Sequence, residues 1–220
     1  MSSNAALTRQ TGWWIFWAAG LLAVGAAFAL DNAVTGACFL PVHQTAYRLA
    51  KWLSKYGDWQ PILLAGLLLV AALAAGRRFG TSRLLLLVLT AGLLTGLGST
   101  IIRTTVGRTR PTATAPQGFY GLRYHSQWIM GQYDFASFPS GHTATWAGLA
   151  GAAWFYRRRW GVAFLAAGLA VAWSRMALGC HHFSDVTASV VWGLGVGSWV
   201  SHRLAPAINT LWARVGLPGD

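Results

Sequence analysis

Uncharged apolar stretches of helical length recur along the chain. Residues 12–30 and 84–102 each form 19 consecutive positions without a charged side chain, close to the roughly 20 residues that an α-helix needs to cross the hydrocarbon core of a bilayer. Four shorter stretches reach that length if flanking polar residues extend the helix, and they cover residues 61–76, 140–156, 160–174 and 186–201. The pattern therefore predicts an all-α polytopic membrane protein, a six-transmembrane-helix bundle that forms a single domain over residues 1–220.

Composition favours a membrane protein over a soluble domain. Hydrophobic residues make up 55% of the 220 positions, charged residues only 10%, and the mean hydropathy is +0.44, all unusual for a soluble domain. The first stretch also fits a secretory signal, because residues 27–29 (Ala-Phe-Ala) match a small-residue cleavage pattern. Against that alternative, Arg9 is the one basic residue before it, and Trp13, Trp14 and Trp17 resemble an aromatic belt at a membrane interface.

The formal net charge of +12 does not indicate a nucleic-acid partner. The basic residues form short clusters between apolar stretches rather than one continuous stripe. Nine of them fall on alternate connections: Arg9, Arg77, Arg78, Arg83, Arg157, Arg158, Arg159, Arg203 and Arg214. Because cytoplasmic connections are enriched in such residues, we expect a bacterial inner-membrane protein with its N-terminus in the cytoplasm. The opposite side carries eight basic residues, so the bias is thin until any functional arginines are set aside.

Three polar clusters interrupt the apolar pattern at the ends of predicted helices. Residues 103–111 end the third predicted span, residues 139–142 begin the fourth, and residues 174–185 connect the fifth to the sixth. In a chain that crosses the membrane six times, these three places lie on the same face. The sequence therefore predicts one composite site on the face opposite the N-terminus.

The first cluster offers paired arginines. Arg103 and Arg110 are seven positions apart and share one face if the helix continues. Two guanidinium forks side by side suit a multiply charged anion. Arginines at a helix end can instead snorkel toward lipid headgroups, and spacing alone does not separate the two interpretations.

The second cluster, Pro139-Ser140-Gly141-His142, is typical of a helix start. Ser140 or the proline can begin the helix, Gly141 lets the backbone approach a ligand, and the free N–H groups attract an anion. His142 adds a group that can donate a proton. Taken alone, the segment also fits an ordinary N-cap followed by a buried, hydrogen-bonded histidine.

The third cluster combines an arginine, two histidines and a carboxylate. Arg175 precedes His181 and His182, and Asp185 follows His181 by four positions, so the carboxylate can hold one tautomer of that imidazole if the segment is helical. An imidazole with such an orienting partner can serve as a nucleophile. A structural His–Asp contact in a loop explains one pair, but it does not explain three polar clusters on one face.

Together, Arg103-x6-Arg110-Pro111, Pro139-Ser140-Gly141-His142 and Ser174-Arg175-x5-His181-x3-Asp185 resemble the three-part signature of the type-2 phosphatidic acid phosphatase superfamily. This superfamily includes bacterial lipid phosphate phosphatases, glucose-6-phosphatase and vanadium haloperoxidases. The resemblance covers about residues 84–201. The chain departs from the family at Arg103, where the family usually has lysine, and no lysine follows Lys55.

The resemblance implies a phosphatase in which His181 attacks phosphorus, Asp185 holds its ring and His142 protonates the leaving oxygen. The implied phosphate ligands are Arg103, Arg110, Arg175, the Ser140 hydroxyl and the Gly141 amide. Asp185 is the one acidic residue in the three clusters, which leaves no carboxylate pair for magnesium, so we expect no metal and no cofactor. His182 is a second candidate nucleophile by adjacency, but the family spacing selects His181.

Further segments favour a lipid substrate. Residues 43–56 alternate apolar and basic positions at helical spacing, which predicts an interfacial helix or a short packed helix in an external loop. Residues 112–137 form a 26-residue connection whose aromatic residues could cover the site, touch the lipid or rest on the interface. Arg123 and His125 within it are candidate headgroup contacts or ordinary loop residues. Cys38 and Cys180 fall on the same predicted face, so the sequence allows a disulfide in an oxidising compartment.

The sequence leaves the substrate open. Polyprenyl diphosphate, phosphatidylglycerol phosphate, phosphatidic acid and lipid A phosphates present similar phosphoryl groups. A phosphatase or haloperoxidase acting on a water-soluble substrate is one alternative, and a non-catalytic membrane anchor or transporter is another. Six apolar stretches without an extensive soluble domain favour a lipid in the bilayer, and the sequence predicts no oligomeric state.

Overall fold

The described part of the chain is mostly helical. The structure, a computed structural model, describes the backbone of residues 3–214 and the side chains of residues 12–211 and 213–214. Seven α-helices follow one another in this part: α1 (Ser3–Cys38), α2 (Thr45–Tyr56), α3 (Trp59–Ala75), α4 (Phe79–Val106), α5 (Gly141–Trp154), α6 (Arg158–Ala177) and α7 (Phe183–Arg214). The all-α prediction agrees with this order, apart from one short two-stranded ribbon between α4 and α5.

Three helices are long and apolar enough to cross a membrane. They are α1 from Gly12 to Cys38, α4 and α6, and the bent pair α2 and α3 would make a fourth, broken span. Each of the six predicted stretches corresponds to one helix, but among the described helices three, or four with the bent pair, have the length and composition of a full span. α5 has 14 residues, about 21 Å at 1.5 Å per residue, which is shorter than the roughly 30 Å hydrocarbon core. α7 is long enough, but Pro206 and several polar side chains interrupt its apolar sequence.

α5 lies at the centre of the helix packing, against α4, α6 and α7. Ten of its 14 residues are buried, most of them alanine or glycine. A methyl group added at Gly193 of α7 would lie 2.7 Å from the carbonyl oxygen of Ala144 and 2.8 Å from the amide nitrogen of Gly148. Small residues therefore let the two backbones approach closely, as is typical of membrane helices. An apolar cluster around Val88 and Leu149 fills the space between α4, α5 and α7.

A sharp hinge separates α2 from α3. The two helices are bent by 59°, and the Asp58 carboxylate caps α3 by accepting a hydrogen bond from the Trp59 amide at 2.8 Å. α2 coincides with the predicted interfacial helix, and Leu49 and Trp52 on it are more than half exposed. It packs on α6, while its contact with a bilayer surface stays a prediction.

A glycine turn ends α4 and starts the long connection to α5. Gly107 has a φ of 65°, in the left-handed region that glycine adopts without strain. A side chain at this position would also collide with the backbone of Gly121. Glycine is therefore required here both by the turn and by the close approach of the connection.

The connection itself folds around aromatic rings. Arg123–Tyr124 (β1) and Gln127–Trp128 (β2) form an antiparallel ribbon, and a 3₁₀ turn covers Tyr133–Phe135. The Arg123 guanidinium lies 4.4 Å from the centre of the Trp128 ring, and His125 packs on Tyr124. Both candidate headgroup residues thus contact rings of the ribbon itself.

The two cysteines do not form the disulfide that the sequence allows. Cys38 and Cys180 are free thiols in the described part of the chain. Cys180 is buried, and its sulfur lies 3.5 Å from the Tyr133 hydroxyl.

Candidate active site

The candidate site lies where the last turns of α4 and α6 meet the first turns of α5 and α7. The Ser140 amide donates to the carbonyl oxygen of Asp185 at 3.4 Å, which joins the second predicted cluster to the third. Arg110 Nη1 donates to the carbonyl oxygen of Cys180 at 3.3 Å, which joins the first to the third. The structure thus brings together the three segments that the sequence singled out.

His181 is completely buried, and its two ring nitrogens differ sharply in their surroundings. Nδ1 lies 2.7 Å from the carbonyl oxygen of Ser137, and because a carbonyl oxygen only accepts, Nδ1 carries the proton. Nε2 has no hydrogen-bond partner among the described residues. Burial is the main cause that lowers the pKa of His181 to about 3. The ring is therefore neutral near pH 7, with a free lone pair on Nε2, which is the state a nucleophile needs.

Asp185 forms its hydrogen bonds with groups around His181 and not with the imidazole ring. Its Oδ2 lies 3.6 Å from His181 Nδ1, beyond hydrogen-bond distance, and instead accepts from the Ser137 hydroxyl at 2.5 Å and from the His182 amide at 2.8 Å. Asp185 thereby fixes the segment whose carbonyl oxygen at Ser137 orients the imidazole. The Ser137 carbonyl oxygen is thus the direct hydrogen-bond partner of the ring, and Asp185 lies behind it.

A buried arginine links this carboxylate to α1. Arg108 Nη1 donates to Asp185 Oδ1 at 2.5 Å, and Nη2 donates to Asp31 Oδ2 at 2.6 Å. Asp31 also accepts from the amide and the hydroxyl of Ser184, each at 2.7 Å. The side chains of Phe28 and Phe119 flank the guanidinium, which lies 4.9 and 5.0 Å from their ring centres. Arg108 is thus a structural clamp between two carboxylates.

His182, the alternative nucleophile, is engaged elsewhere. Its Nε2 lies 3.1 Å from the carbonyl oxygen of Thr109, so Nε2 carries a proton that this bond uses. His182 therefore contributes to the packing of the connection, and the geometry favours His181 as the nucleophile.

Arg110 is buried, whereas Arg103 and Arg175 are half-buried with buried Nε atoms that have no hydrogen-bond partner among the described residues. Arg175 Nη1 donates to Ser54 Oγ on α2, and Arg110 Nε donates to the Tyr133 carbonyl oxygen at 2.7 Å while its guanidinium stacks on the Tyr133 ring. Burial, above all, lowers the pKa of Arg110. A methyl group at Gly141 would lie 3.3 Å from Arg103 Nη1, so the glycine leaves room for this arginine at the start of α5.

Four buried side-chain atoms among the described residues have no hydrogen-bond partner: Ser99 Oγ, Arg103 Nε, Arg175 Nε and His181 Nε2. Three of the four belong to residues that the sequence assigned to the site. Unpaired buried polar groups are costly, and buried like charges repel one another. A bound anion would relieve both penalties, because its oxygens accept from the arginines and its charge offsets theirs.

Ser140 and His142 begin α5 beside these arginines. The Ser140 hydroxyl is buried and accepts a hydrogen bond from Thr143 at 3.1 Å, which leaves its own proton for another acceptor. His142 Nε2 lies 3.5 Å from Asp58 Oδ1 at the hinge before α3. The charges of Arg175 and Arg103 also act on this histidine.

Comparison with known families gives the site its context. The sequence profile described as the PAP2 superfamily matches residues 82–208, more than half of the chain and all three clusters. The chain belongs to the PAP2 superfamily. Its predicted resemblance to type-2 phosphatidic acid phosphatases is confirmed.

Two curated PAP2 relatives carry the name lipid A 1-phosphatase. The protein of Rhizobium etli is 34% identical over 128 residues, which are 58% of this chain and 50% of the relative. The protein of Rhizobium johnstonii is 34% identical over 122 residues, 56% of this chain and 45% of the relative. The chain therefore spans about half the length of the curated relatives it matches.

A solved PAP2 structure supports the fold. The transmembrane PAP2-type phosphatidylglycerolphosphate phosphatase from Bacillus subtilis superposes with a TM-score of 0.54, covering 89% of this chain and 96% of that one. At 19% sequence identity this likeness concerns the membrane fold alone.

Several contributors to this PAP2 site lie outside the signature or have no side-chain pattern. Ser137 acts through its backbone carbonyl, which any residue could supply, and Arg108 lies between the two signature arginines of the first cluster. One signal could have found Asp31 and Asp58: the chain has only five acidic residues, and these two fall on the face predicted to hold the site. Among the residues described, no three His, Cys, Asp or Glu side chains are grouped so that they could hold a metal ion.

Proposed function

We propose that this PAP2 protein is a membrane-embedded phosphatase that releases phosphate from a lipid through a phosphohistidine at His181. The observation that carries the proposal is the orphaned Nε2 of His181 in a site whose Arg103 and Arg175 also have unpaired nitrogens. A phosphoryl group placed there would meet a nucleophile and charged donors together. His182, the other candidate nucleophile, uses its Nε2 proton in a bond to the Thr109 carbonyl oxygen.

In the first half of the reaction, the His181 Nε2 lone pair attacks phosphorus and the bond from phosphorus to the leaving oxygen breaks. His142 gives that oxygen a proton, so the alcohol leaves neutral. Nδ1 keeps its proton on the Ser137 carbonyl oxygen throughout. In the second half, His142 takes a proton from water, the resulting hydroxide attacks the phosphohistidine, and phosphate leaves with His181 restored.

The phosphate ligands stabilise the charge that spreads over the equatorial oxygens. Arg103, Arg110 and Arg175 supply cations, and the Ser140 hydroxyl and the Gly141 amide supply neutral donors. These groups are fixed before the substrate arrives, which is what makes electrostatic stabilisation effective. In this scheme the arginines take the place that metal ions have in other phosphoryl-transfer enzymes.

An apolar groove beside the site supports a lipid substrate. A cavity of about 200 Å³ is lined by apolar residues of α1, α4, α7 and the segment before α5. Ile102 and Pro139 in its lining are the direct neighbours of Arg103 and Ser140. An acyl chain in this groove would enter from the bilayer side of the bundle while its headgroup reached the arginines.

Lipid A 1-phosphate is the first substrate to test, because both curated relatives are named for it. Phosphatidylglycerol phosphate, phosphatidic acid and polyprenyl diphosphate complete the panel, with glucose 6-phosphate as the water-soluble competitor. Purified protein in vesicles should release phosphate fastest from a lipid, keep its activity in chelator and be inhibited by millimolar orthovanadate. Faster release from the soluble ester would contradict a lipid substrate. A strict requirement for Mg²⁺ would contradict the metal-free mechanism, and no release from any substrate would contradict the phosphatase activity.

The proposed orientation places the N-terminus in the cytoplasm of a bacterium and the site at the periplasmic face of its inner membrane. Arg77, Arg78 and Arg157 support it, because they lie where α4 and α6 begin, at the end of the bundle away from the site. An impermeant thiol reagent applied to intact spheroplasts tests this orientation with single cysteines in a chain whose native cysteines are replaced by serine. Ser126→Cys in the ribbon should be labelled, Arg77→Cys should not, and the reverse pattern would overturn the orientation.

A further inference from the structure

The last turn of α2 and the hinge that follows it, residues 54–58, contact two of the three signature clusters. Ser54 accepts from Arg175 Nη1, Gly57 accepts from Trp146 Nε1 on α5 at 3.0 Å, and Asp58 lies 3.5 Å from His142. All three residues precede the region that the PAP2 profile matches, residues 82–208. The hinge therefore adds groups to the site that the family signature does not contain.

Asp58 stands out within the hinge because of the charges around His142. The charged groups that act on His142 in the described part of the chain are Arg175, Arg103 and Asp58, and Asp58 alone among them is negative. Two cations near an imidazole disfavour its protonated form, whereas an adjacent carboxylate favours it. A general acid must be protonated before it can act, so this histidine needs a compensating charge.

The geometry also suits a fixed contact. Asp58 is held in place as the cap of α3 by its bond to the Trp59 amide, and the His142 side chain is only 15% exposed, against 34% for Asp58. Asp58 Oδ1 lies 3.5 Å from His142 Nε2, and the backbone of Ser54 also favours the protonated ring. A ring whose Nε2–H points to the carboxylate would exchange its other proton with a substrate oxygen through Nδ1. The same arrangement holds before and after proton transfer, because the Nε2 proton does not move.

We infer that Asp58 is a positioning residue of the phosphoryl-transfer site, which orients His142 and favours the protonated ring that serves the leaving oxygen. The inference rests on the proposed phosphatase function, because it assigns a partner to the proposed general acid. Under this inference the site has two His–Asp pairs: His181 with Asp185 at the nucleophile, and His142 with Asp58 at the general acid. The second is supplied by a helix hinge outside the signature.

The test uses Asp58→Asn, with Asp134→Asn as its matched control. Asparagine caps helices as well as aspartate does, so the substitution removes the charge and keeps the α3 cap. Asp134 is an exposed acid in the connection between α4 and α5. Asp58→Ser, which also caps, serves as a second variant, and elution from a sizing column in detergent checks that each protein is folded.

Two substrates separate proton donation from general damage. A long-chain alkyl phosphate has a poor leaving group that needs a proton, whereas the 4-nitrophenolate of 4-nitrophenyl phosphate leaves without one. Asp58→Asn should lower kcat/KM for the alkyl phosphate by about tenfold or more and for 4-nitrophenyl phosphate by less than about twofold. The alkaline limb of the pH profile for the alkyl phosphate should move to lower pH, and Asp134→Asn should change neither substrate nor profile.

Each result decides something different. Equal losses on both substrates with an unshifted pH profile would reduce Asp58 to a structural cap and overturn the inference, while the phosphatase function stands. If the wild type acts on the alkyl phosphate alone, an unshifted alkaline limb in Asp58→Asn overturns the inference. If it acts on 4-nitrophenyl phosphate alone, a loss greater than about twofold does so. If the folded wild type hydrolyses no phosphate ester at all, the proposed function fails, and the inference falls with it.

Discussion

The Nδ1 atom of His181 lies 2.7 Å from the carbonyl oxygen of Ser137, while the nearest carboxylate oxygen of Asp185 is 3.6 Å away. A backbone acceptor fixes the tautomer without adding charge to the ring, and Asp185 holds that acceptor in place through the Ser137 hydroxyl. Nε2 then keeps a free lone pair, and Arg103 and Arg175 of the same site also have unpaired nitrogens. In the proposed mechanism, the imidazole is thereby prepared for attack before any substrate binds.

This arrangement predicts where a phosphoryl group becomes attached. His181→Asn should abolish phosphate release, because asparagine offers no nucleophile. Its amide can still donate to the Ser137 carbonyl oxygen, so the local contact is kept. His182→Gln should keep most of the activity, because its amide can still reach the Thr109 carbonyl oxygen. Rapid mixing with ³²P-labelled lipid and an alkaline quench should trap label in the wild type and in His182→Gln. Label retained by His181→Asn would contradict the assignment.

The Arg108 clamp predicts a large effect on stability. Removing one partner of a buried ion pair costs about 3–5 kcal/mol, and Arg108→Gln would leave two buried carboxylates, Asp31 and Asp185, without their cation. Thermal unfolding in detergent should show this loss, with a smaller one for Asp31→Asn. Arg123→Gln is the matched control, because Arg123 is exposed and stacks only on Trp128, and it should cost less than about 1 kcal/mol. Equal destabilisation by Arg108→Gln and Arg123→Gln would show that the contacts of Arg108 with the two carboxylates do not stabilise the fold.

The sequence predicted the parts of the site that sit at helix ends. Arg103, Ser140 and Asp185 each fall at a boundary between an apolar stretch and a polar cluster, and a six-span chain would place those boundaries on one face. Hydrophobic patterning is strongly constrained in a bilayer, since backbone groups must be satisfied within each helix. The helices and the position of the clusters at their ends therefore follow from local sequence.

The remaining parts depend on contacts between distant segments. Asp58 reaches His142, and Asp31 reaches Arg108, across helices whose relative positions no local pattern determines. The Ser137 carbonyl is a backbone group and leaves no trace in residue identity. Residues 155 and 156 are apolar and extend the predicted stretch to residue 156, whereas the helix ends at Trp154.

Arg103 stands where the family usually has lysine, and its surroundings predict how far lysine can replace it. Its Nη2 has one long contact, 3.5 Å from Thr100 Oγ1, so few protein bonds depend on the guanidinium. Arg103→Lys should therefore keep the charge and lose less kcat/KM than Arg103→Ala, mainly through a higher KM. Steady-state kinetics on the preferred lipid checks this. Equal losses for both variants would show that the site needs the fork of the guanidinium and not merely a cation.

Close packing of α5 against α7 predicts a contrast between two glycines. Gly193→Ala would press a methyl group against the backbone of Ala144 and Gly148, which should cost about 1–3 kcal/mol and lower the unfolding temperature in detergent. Gly25 lies exposed on α1, with no described atom within 4 Å of an added methyl group. Gly25→Ala should leave the unfolding temperature unchanged or raise it. A similar loss for both variants would indicate that helix flexibility, and not the contact, is what glycine provides.

The buried state of His181 predicts how stability depends on pH. Burial lowers its pKa from the ordinary 6.5 to about 3, so between these values the unfolded chain binds a proton that the folded protein does not. Stability must then fall as the pH drops below about 6.5, and this residue alone contributes a loss of about 2 kcal/mol at pH 5. His181→Asn has no such proton to bind. Its unfolding temperature in detergent should therefore fall less between pH 7 and pH 5 than that of the wild type. Parallel curves of unfolding temperature against pH would mean that the folded wild type also binds this proton. In that case Nε2 would have no free lone pair.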